Sequence, residues 1–255
     1  MPLWKKAAIL ALCAIALAGL TALYHKMNHA VVLEYHCVEE TPFSSAEELF
    51  VRPSELEDQI RALQEAGYRF AFAGEVNPVC LRKTVCLTFD DGYRDNLTEL
   101  VPILERTGAK ATVFVVTDLI GFNEYFLTAE DLKALAACPY IEIASHGITH
   151  RDFLELTEEE LEEELVTSKA QLEEITGREI LSFSYPSGHY TWAQAKRAGE
   201  VYRNCFTAAG RSVYLGLLNH RNVLPRVPVR RGEDGEALMQ KLRGALPGWN
   251  IYSGY

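Results

Sequence analysis

The chain has 255 residues, 48% hydrophobic and 24% charged, a composition that excludes disordered, collagen-like and low-complexity classes. It carries 25 Lys and Arg against 35 Asp and Glu, a formal charge of −10, which argues against nucleic acid as a partner because phosphate binding is driven by clustered basic residues. The length is compatible with one large domain or two small ones.

From Ala7 to Tyr24 there is no charge, 16 of the 18 residues are apolar, and Lys5 and Lys6 stand in front. This is the layout of a secretory signal or an N-terminal membrane anchor. The stretch is near the lower limit for spanning a bilayer, and Ala16-Leu17-Ala18 offers a small-residue cleavage site, so cleaved signal and retained anchor are both open. Residues 1–27 are therefore expected to be a signal peptide or membrane anchor. The rest is expected to be extracytoplasmic, either anchored or secreted. Residues 28–255 keep 22 basic and 35 acidic residues, a net of −13, and suit one α/β domain. Five cysteines remain there, Cys37, Cys80, Cys86, Cys138 and Cys205. Their odd number and lack of CxxC spacing predict neither a zinc ribbon nor a disulfide scaffold.

Short apolar, β-branched runs at Ala30–Tyr35, Thr84–Phe89, Ala111–Val116, Ile141–Ala144, Leu181–Tyr185 and Val223–Val229 alternate with segments of helical period. That pattern predicts a mainly parallel sheet wrapped by helices. Ser54-Glu-Leu-Glu57 reads as a capping box opening a helix that closes near Gly67, and Thr128-Ala-Glu-Asp131 as a second start. Thr157-Glu-Glu-Glu160 opens a longer helix with Leu161, Leu165, Leu172 and Ile175 on one stripe, ended by Gly177. The seven Glu between Glu155 and Glu164 read as a solvated helical face, with acids favourably near a helix N-terminus.

Three segments carry candidate chemistry. The strand Val85–Phe89 stops in Asp90-Asp91-Gly92-Tyr93, and two carboxylates at the C-terminal end of a sheet strand lie where α/β folds keep their sites. Successive side chains diverge, so one can bind a metal while the other faces a substrate water; the run is also good turn chemistry. After the strand Ile141–Ala144 come His146 and His150, which can converge on one cation from a helical turn. Gly147 stands where a zincin helix would need its Glu. A third strand is stopped by Tyr185-Pro186-Ser187-Gly188, whose tight backbone can aim an amide N–H into a site. Tyr35, Tyr93 and Tyr185, beside strands, read as core.

Together these segments resemble the polysaccharide deacetylases, the NodB-homology group of carbohydrate esterase family 4. The first family signature, Thr-Phe-Asp-Asp-Gly, stands unchanged at Thr88 to Gly92; the second is matched by His146 and His150, with Gly147 replacing the usual Ser or Thr; the third is matched by Tyr185, Pro186 and Gly188 without its leading Arg and with Ser187 where an aromatic residue is common. Tyr35-His36, Gly67-Tyr68, the helix from Thr157 and Leu224-Pro225-Arg226 extend the likeness over residues 30–230, and resemble the circularly shifted subgroup with a Tyr-His opening.

The resemblance implies an α/β fold, a distorted (β/α) barrel preceded by an N-terminal hydrophobic helix. It implies a hydrolase that removes N-acetyl groups from a cell-envelope or extracellular polysaccharide containing N-acetylglucosamine. Asp91, His146 and His150 would hold one divalent cation, Zn²⁺ with Co²⁺, Ni²⁺ or Fe²⁺ as substitutes. Asp90 would be the general base, His36 the general acid and the Ser187 N–H an oxyanion donor. His220 competes with His36, because Leu218-Asn219-His220 matches a C-terminal Leu-x-His signature. Arg226 could orient Asp90 in place of the missing third-signature Arg. The expected partners are a polysaccharide substrate and, through the N-terminal segment, a membrane; the chain is expected to be a monomer. The alternatives are an O-acetyl polysaccharide esterase or a catalytically impaired carbohydrate-binding relative.

Overall fold

The structure, a computed structural model, describes residues 2–27, 29–77, 82–208, 215 and 219–244; Cys80 and Leu218 lie outside the described residues. Ten strands run β1 (Ala30–Tyr35), β2 (Cys37–Val38), β3 (Phe50–Val51), β4 (Arg69–Phe70), β5 (Thr84–Phe89), β6 (Ala111–Val115), β7 (Ile141–Ser145), β8 (Ser182–Ser184), β9 (Asn204–Phe206) and β10 (Val227–Pro228). Eight α-helices are interleaved: α1 (Leu3–Met27), α2 (Pro53–Glu65), α3 (Val101–Thr107), α4 (Ala129–Ala137), α5 (Glu158–Glu162), α6 (Ser168–Thr176), α7 (Trp192–Val201) and α8 (Gly235–Gly244).

The main sheet is parallel throughout, in the order β10-β1-β5-β6-β7-β8-β9, with β4 added on β5. It curls. Leu224 bridges in parallel to Phe206 at the end of β9, while Val227, three residues on, pairs with Leu33 of β1. The segment 224–228 thus brings the two ends of the sheet together, as the expected distorted (β/α) barrel requires. Alternation along each strand then sorts the side chains. Ala30, Val32, Cys86, Phe114, Ala144 and Phe206 fill the inside, whereas Val31, Leu33, Val85, Leu87, Val113 and Ile143 face the helices. Above the inner apolar layer the inward positions turn polar: Glu34, Thr88, Asp90, His146 and Arg226, all buried.

Thr128 and Asp131 cap α4 reciprocally, as do Thr157 and Glu160 for α5. The box expected at Ser54 is displaced: α2 starts at Pro53, and the Arg52 N–H donates to Glu55 at 2.9 Å. Pro at the first helical position, with φ already helical, sets that start. The strands β2, β3, β4 and β9 escaped the sequence reading because runs this short show no period, whereas β10 falls inside the expected run Val223–Val229. The helix from Thr157 is interrupted by a π segment, Glu163–Thr167, before α6 ends at Gly177 in the left-handed conformation. A second π segment, Asn96–Leu100, precedes α3. Cys37, Cys86, Cys138 and Cys205 are free thiols.

In α1 the side chains of Trp4, Leu10, Leu12, Ile15, Leu17 and Leu20 are exposed. Among the residues whose side chains are described, no helix is long and apolar enough to cross a membrane; residues 7, 8, 18 and 21–24 of the uncharged stretch are not among them.

Two stability predictions follow from the packing. Phe183 is fully buried among Phe153, Tyr185 and Tyr202, and Phe183→Ala is expected to cost about 3–5 kcal/mol in denaturant unfolding. Asp95 is buried behind β2, and burial pushes its carboxyl up to about 7 despite hydrogen bonds from the Val38 N–H and the Asn96 amide. Between its ordinary 3.8 and about 7 the folded chain therefore holds a proton that the unfolded chain has released. Its contribution to stability is full below the lower value and lost as pH rises through the upper one. Asp95→Asn should flatten the pH dependence of the melting temperature across that window; a slope equal to wild type would assign it to another group.

Candidate active site

The C-terminal ends of β1, β5, β7 and β8 deliver the site residues, and each is placed by how its strand stops. β5 ends at Phe89, and Asp90 follows with its side chain inward, 3% exposed. Arg226, 1% exposed and just ahead of β10, meets it with two parallel bonds: Nη1 to Oδ1 and Nη2 to Oδ2, both 2.7 Å. The remaining guanidinium contacts go to Thr88 Oγ1 and the Thr207 carbonyl, and the group lies over the Phe114 ring. Burial alone would raise the Asp90 carboxyl, but the charges of Arg226 and then His146 outweigh it and hold the group well below the usual carboxylate range. Asp90 is therefore ionised at neutral pH.

Asp91 turns away from Asp90 because its backbone is left-handed, φ 72°: Asp90 takes the Arg226 fork and Asp91 lies nearest His150, while both stand within 3.7 Å of His146 Nε2. Its Oδ1 lies 3.4 Å from His150 Nε2 and 3.7 Å from His146 Nε2. One ligand atom from each of the three residues falls within 4.8 Å of the others, and tetrahedral Zn²⁺ with bonds of about 2.0–2.1 Å needs ligand separations of about 3.4 Å. Two further observations fit a cation. Asp91 Oδ1 is buried with no hydrogen-bond partner, an unmade interaction that costs free energy unless something positive faces it. His146 donates from Nδ1 to the Ser184 carbonyl at 2.7 Å, which turns Nε2 toward the two carboxylates, 3.6 Å from Asp90 Oδ2 and 3.7 Å from Asp91 Oδ1. Burial pushes the His146 imidazole below its ordinary value against the pull of Asp90 and Asp91, and a neutral ring is the ligating form.

The third segment forms a tight turn, Pro186–Gly188, in which Ser187 takes φ 57°. Gly188 is needed there: a Cβ would come within 2.4 Å of Ala208 Cβ and 2.6 Å of the Ala208 nitrogen. Tyr35 and Tyr185 are fully buried; Tyr93, partly exposed, stacks on Phe126 at 4.9 Å. His36 follows β1 directly and is half-buried, and its charge acts on both Asp90 and Glu34. Its carbonyl accepts from Asn96 Nδ2 at 3.2 Å. His220 is exposed on the stretch before β10, its ring edge against Trp192.

Two buried acids at the site were not foreseen. Glu34, inward on β1, lies 3.4 Å from Arg226 Nε, and burial raises its carboxyl against the charge of Arg226. In the sequence it looks like an interruption of an apolar run, and only barrel closure makes that position internal. Glu164 corrects the reading of the Glu155–Glu164 run as a solvated face. It is 4% exposed and accepts hydrogen bonds from Ile148 and Thr149. Three residues after Leu161, it lies at the edge of the Leu161–Leu165 stripe, and it was read as solvated because it closes a run of acids.

The polysaccharide deacetylase family model matches residues 80–202. YxkH of Bacillus subtilis (strain 168), which carries the polysaccharide deacetylase name, is 32% identical over 173 residues, 66% of this chain and 60% of its own length. The poly-beta-1,6-N-acetyl-D-glucosamine N-deacetylase of Escherichia coli (strain K12) is 30% identical over 142 residues, 47% of this chain and 20% of that protein. Each match thus spans less than two thirds of the relative. The crystal structure of a polysaccharide deacetylase from Bacillus cereus has the same fold, with a TM-score of 0.76 at 24% identity, covering 85% of this chain and 69% of that one. With its signatures assembled on one rim of a (β/α) barrel, the chain has the fold of a polysaccharide deacetylase, and residues 80–202, which hold all three signatures, match that family.

Proposed function

We propose that this chain is a metal-dependent hydrolase that removes N-acetyl groups from an envelope or extracellular polysaccharide containing N-acetylglucosamine. The observation that carries the reading is the juxtaposition of two unlike carboxylates: Asp90, ionised and clamped by Arg226, and Asp91, turned toward His146 and His150. The likeness to the Escherichia coli enzyme supports a β-1,6-linked N-acetylglucosamine polymer as the substrate class.

Asp91, His146 and His150 would hold the cation, and when bound it would polarise the acetyl carbonyl and acidify a water. Asp90 takes the proton from the attacking water. A carboxylate held this far below its ordinary range is a weak base in isolation, so its contribution lies in being permanently ionised and fixed in orientation by the guanidinium fork. The Ser187 N–H, on its tight turn, would stabilise negative charge developing on the carbonyl oxygen. His36 donates a proton to the departing amine, in the position that the circularly shifted arrangement assigns to the first strand; imidazole suits this because its unperturbed pKa lies near neutrality. The exposed apolar side chains of α1 support a membrane anchor or an export signal ahead of the catalytic unit.

Acetate release from β-1,6-linked N-acetylglucosamine oligomers should be abolished by a chelator and restored by Zn²⁺ or Co²⁺. Asp90→Asn should retain the metal and lose about 10²–10⁴-fold in turnover. Release from acetylxylan alone would point to an O-acetyl esterase, and metal-independent release would refute the mechanism. Arg226→Lys keeps the charge but not the fork; kcat is expected to drop at least about tenfold with KM little changed, and an unaltered kcat would remove Arg226 from the mechanism.

A further inference from the structure

Glu164 performs none of the chemistry described above, yet it is one of the most deeply buried carboxylates in the fold. Its oxygens receive the Ile148 N–H at 2.5 Å, the Thr149 N–H at 3.2 Å and the Thr149 hydroxyl. All three donors belong to the four residues that follow His146 and lead to His150. A carboxylate accepting two backbone N–H groups and a hydroxyl is well satisfied without a cationic partner.

The approach is so close that residue 147 has no room for a side chain. A Cβ on Gly147 would lie 2.5 Å from Glu164 Oε2, and Gly147 sits at φ +82°, where a side chain is strained in any case. The family resemblance leads one to expect Ser or Thr at 147 as the support of this loop; here the support comes from outside it. Ser168, one helical turn beyond Glu164, adds a second strut. Its Oγ lies 2.8 Å from Ser145 Oγ, which in turn accepts from the Gly147 N–H at 3.2 Å. Glu164 and Ser168 are four residues apart and so share one face of the helix, the face that meets the chain at and after the end of β7. At the far end of the loop, His150 is held at φ 59°, a conformation that persists only when its surroundings over-determine it.

We propose that Glu164 is a positioning residue for the metal-ligating pair. By clamping the backbone of residues 148 and 149 it fixes where His150 stands relative to His146 and Asp91, and Gly147 is what lets the carboxylate in. The proposal rests on the reading of Asp91, His146 and His150 as the metal ligands.

The test is metal binding by the full chain, read as the Zn²⁺ dissociation constant in competition with a chromophoric chelator and as the visible absorption of the Co²⁺-loaded protein. Removal of a group that orients metal ligands weakens affinity by about 10–100-fold. That loss, with an altered Co²⁺ spectrum, is expected for Glu164→Gln, and a smaller loss for Thr149→Val, which deletes only the hydroxyl bond. Wild-type binding that is abolished in His146→Ala but unchanged in Glu164→Gln, with an unchanged Co²⁺ spectrum, would overturn the Glu164 assignment and leave the metal site standing. Absence of binding in wild type would overturn both. Should Glu164→Gln fail to fold, Thr149→Val decides alone, and wild-type affinity with a wild-type Co²⁺ spectrum in that variant counts against the proposal.

Discussion

A guanidinium sealed inside an apolar barrel is tolerable only if every donor finds an acceptor and its charge finds a counter-charge. In Arg226 every guanidinium nitrogen has an acceptor and the charge has its counter-charge: a fork onto Asp90, a bond to Thr88, a bond to the Thr207 carbonyl, and the longer contact to Glu34. These partners come from β1, β5 and the chain after β9, while Arg226 itself lies in the segment that joins the two ends of the sheet. One buried ion pair therefore closes the barrel and sets the state of the carboxylate at its rim. Loss of either member would leave the other charged and unpaired, so stability and chemistry are not separable at this point in the fold.

The rim is also where the backbone is strained. Among the described residues, the non-glycine positions with positive φ are Asp91, His150 and Ser187, one in each of the three signature segments. Such conformations cost of order 1–3 kcal/mol each and need compensation nearby. The compensation is visible in the packing: Gly92, beside Asp91, lies against Val115; Glu164 and Ser168 hold the loop to His150; Gly188, after Ser187, is pressed against Ala208. Two π segments feed the same region, one bringing Asn96 to the His36 carbonyl and the other bringing Glu164 to the His146–His150 loop. The helices thus act as a frame for the signature loops as well as a cover for the sheet.

Much of this was legible in the residues, because strand ends, caps and signatures are local. The runs at Ala30–Tyr35 and Thr84–Phe89 matched strands residue for residue, since both faces of a covered parallel strand are buried and the apolar run is continuous. The Thr128 and Thr157 caps matched because a capping box spans four residues. Ser54 failed as a cap because Pro53 was already helical. Glu164 was misread because a run of acids reads as solvated, although its place three residues after Leu161 sets it beside the buried stripe. Glu34 passed unremarked because nothing local says that the inside of a barrel, at that height, is polar.

By itself the sequence determined the longer strands and helices, the three strand-end signatures and, through them, the family resemblance and the candidate chemistry; all of these are contained within a few consecutive residues. Which distant groups meet was decided only by the tertiary structure. The pairing of Arg226 with Asp90 spans 136 positions, and that of Glu164 with Thr149 crosses from a helix to a strand-end loop. Neither could be read from spacing, although the resemblance had offered Arg226 as a partner for Asp90, because closure of the sheet and the packing of a helix against a strand-end loop, not sequence distance, bring those side chains together.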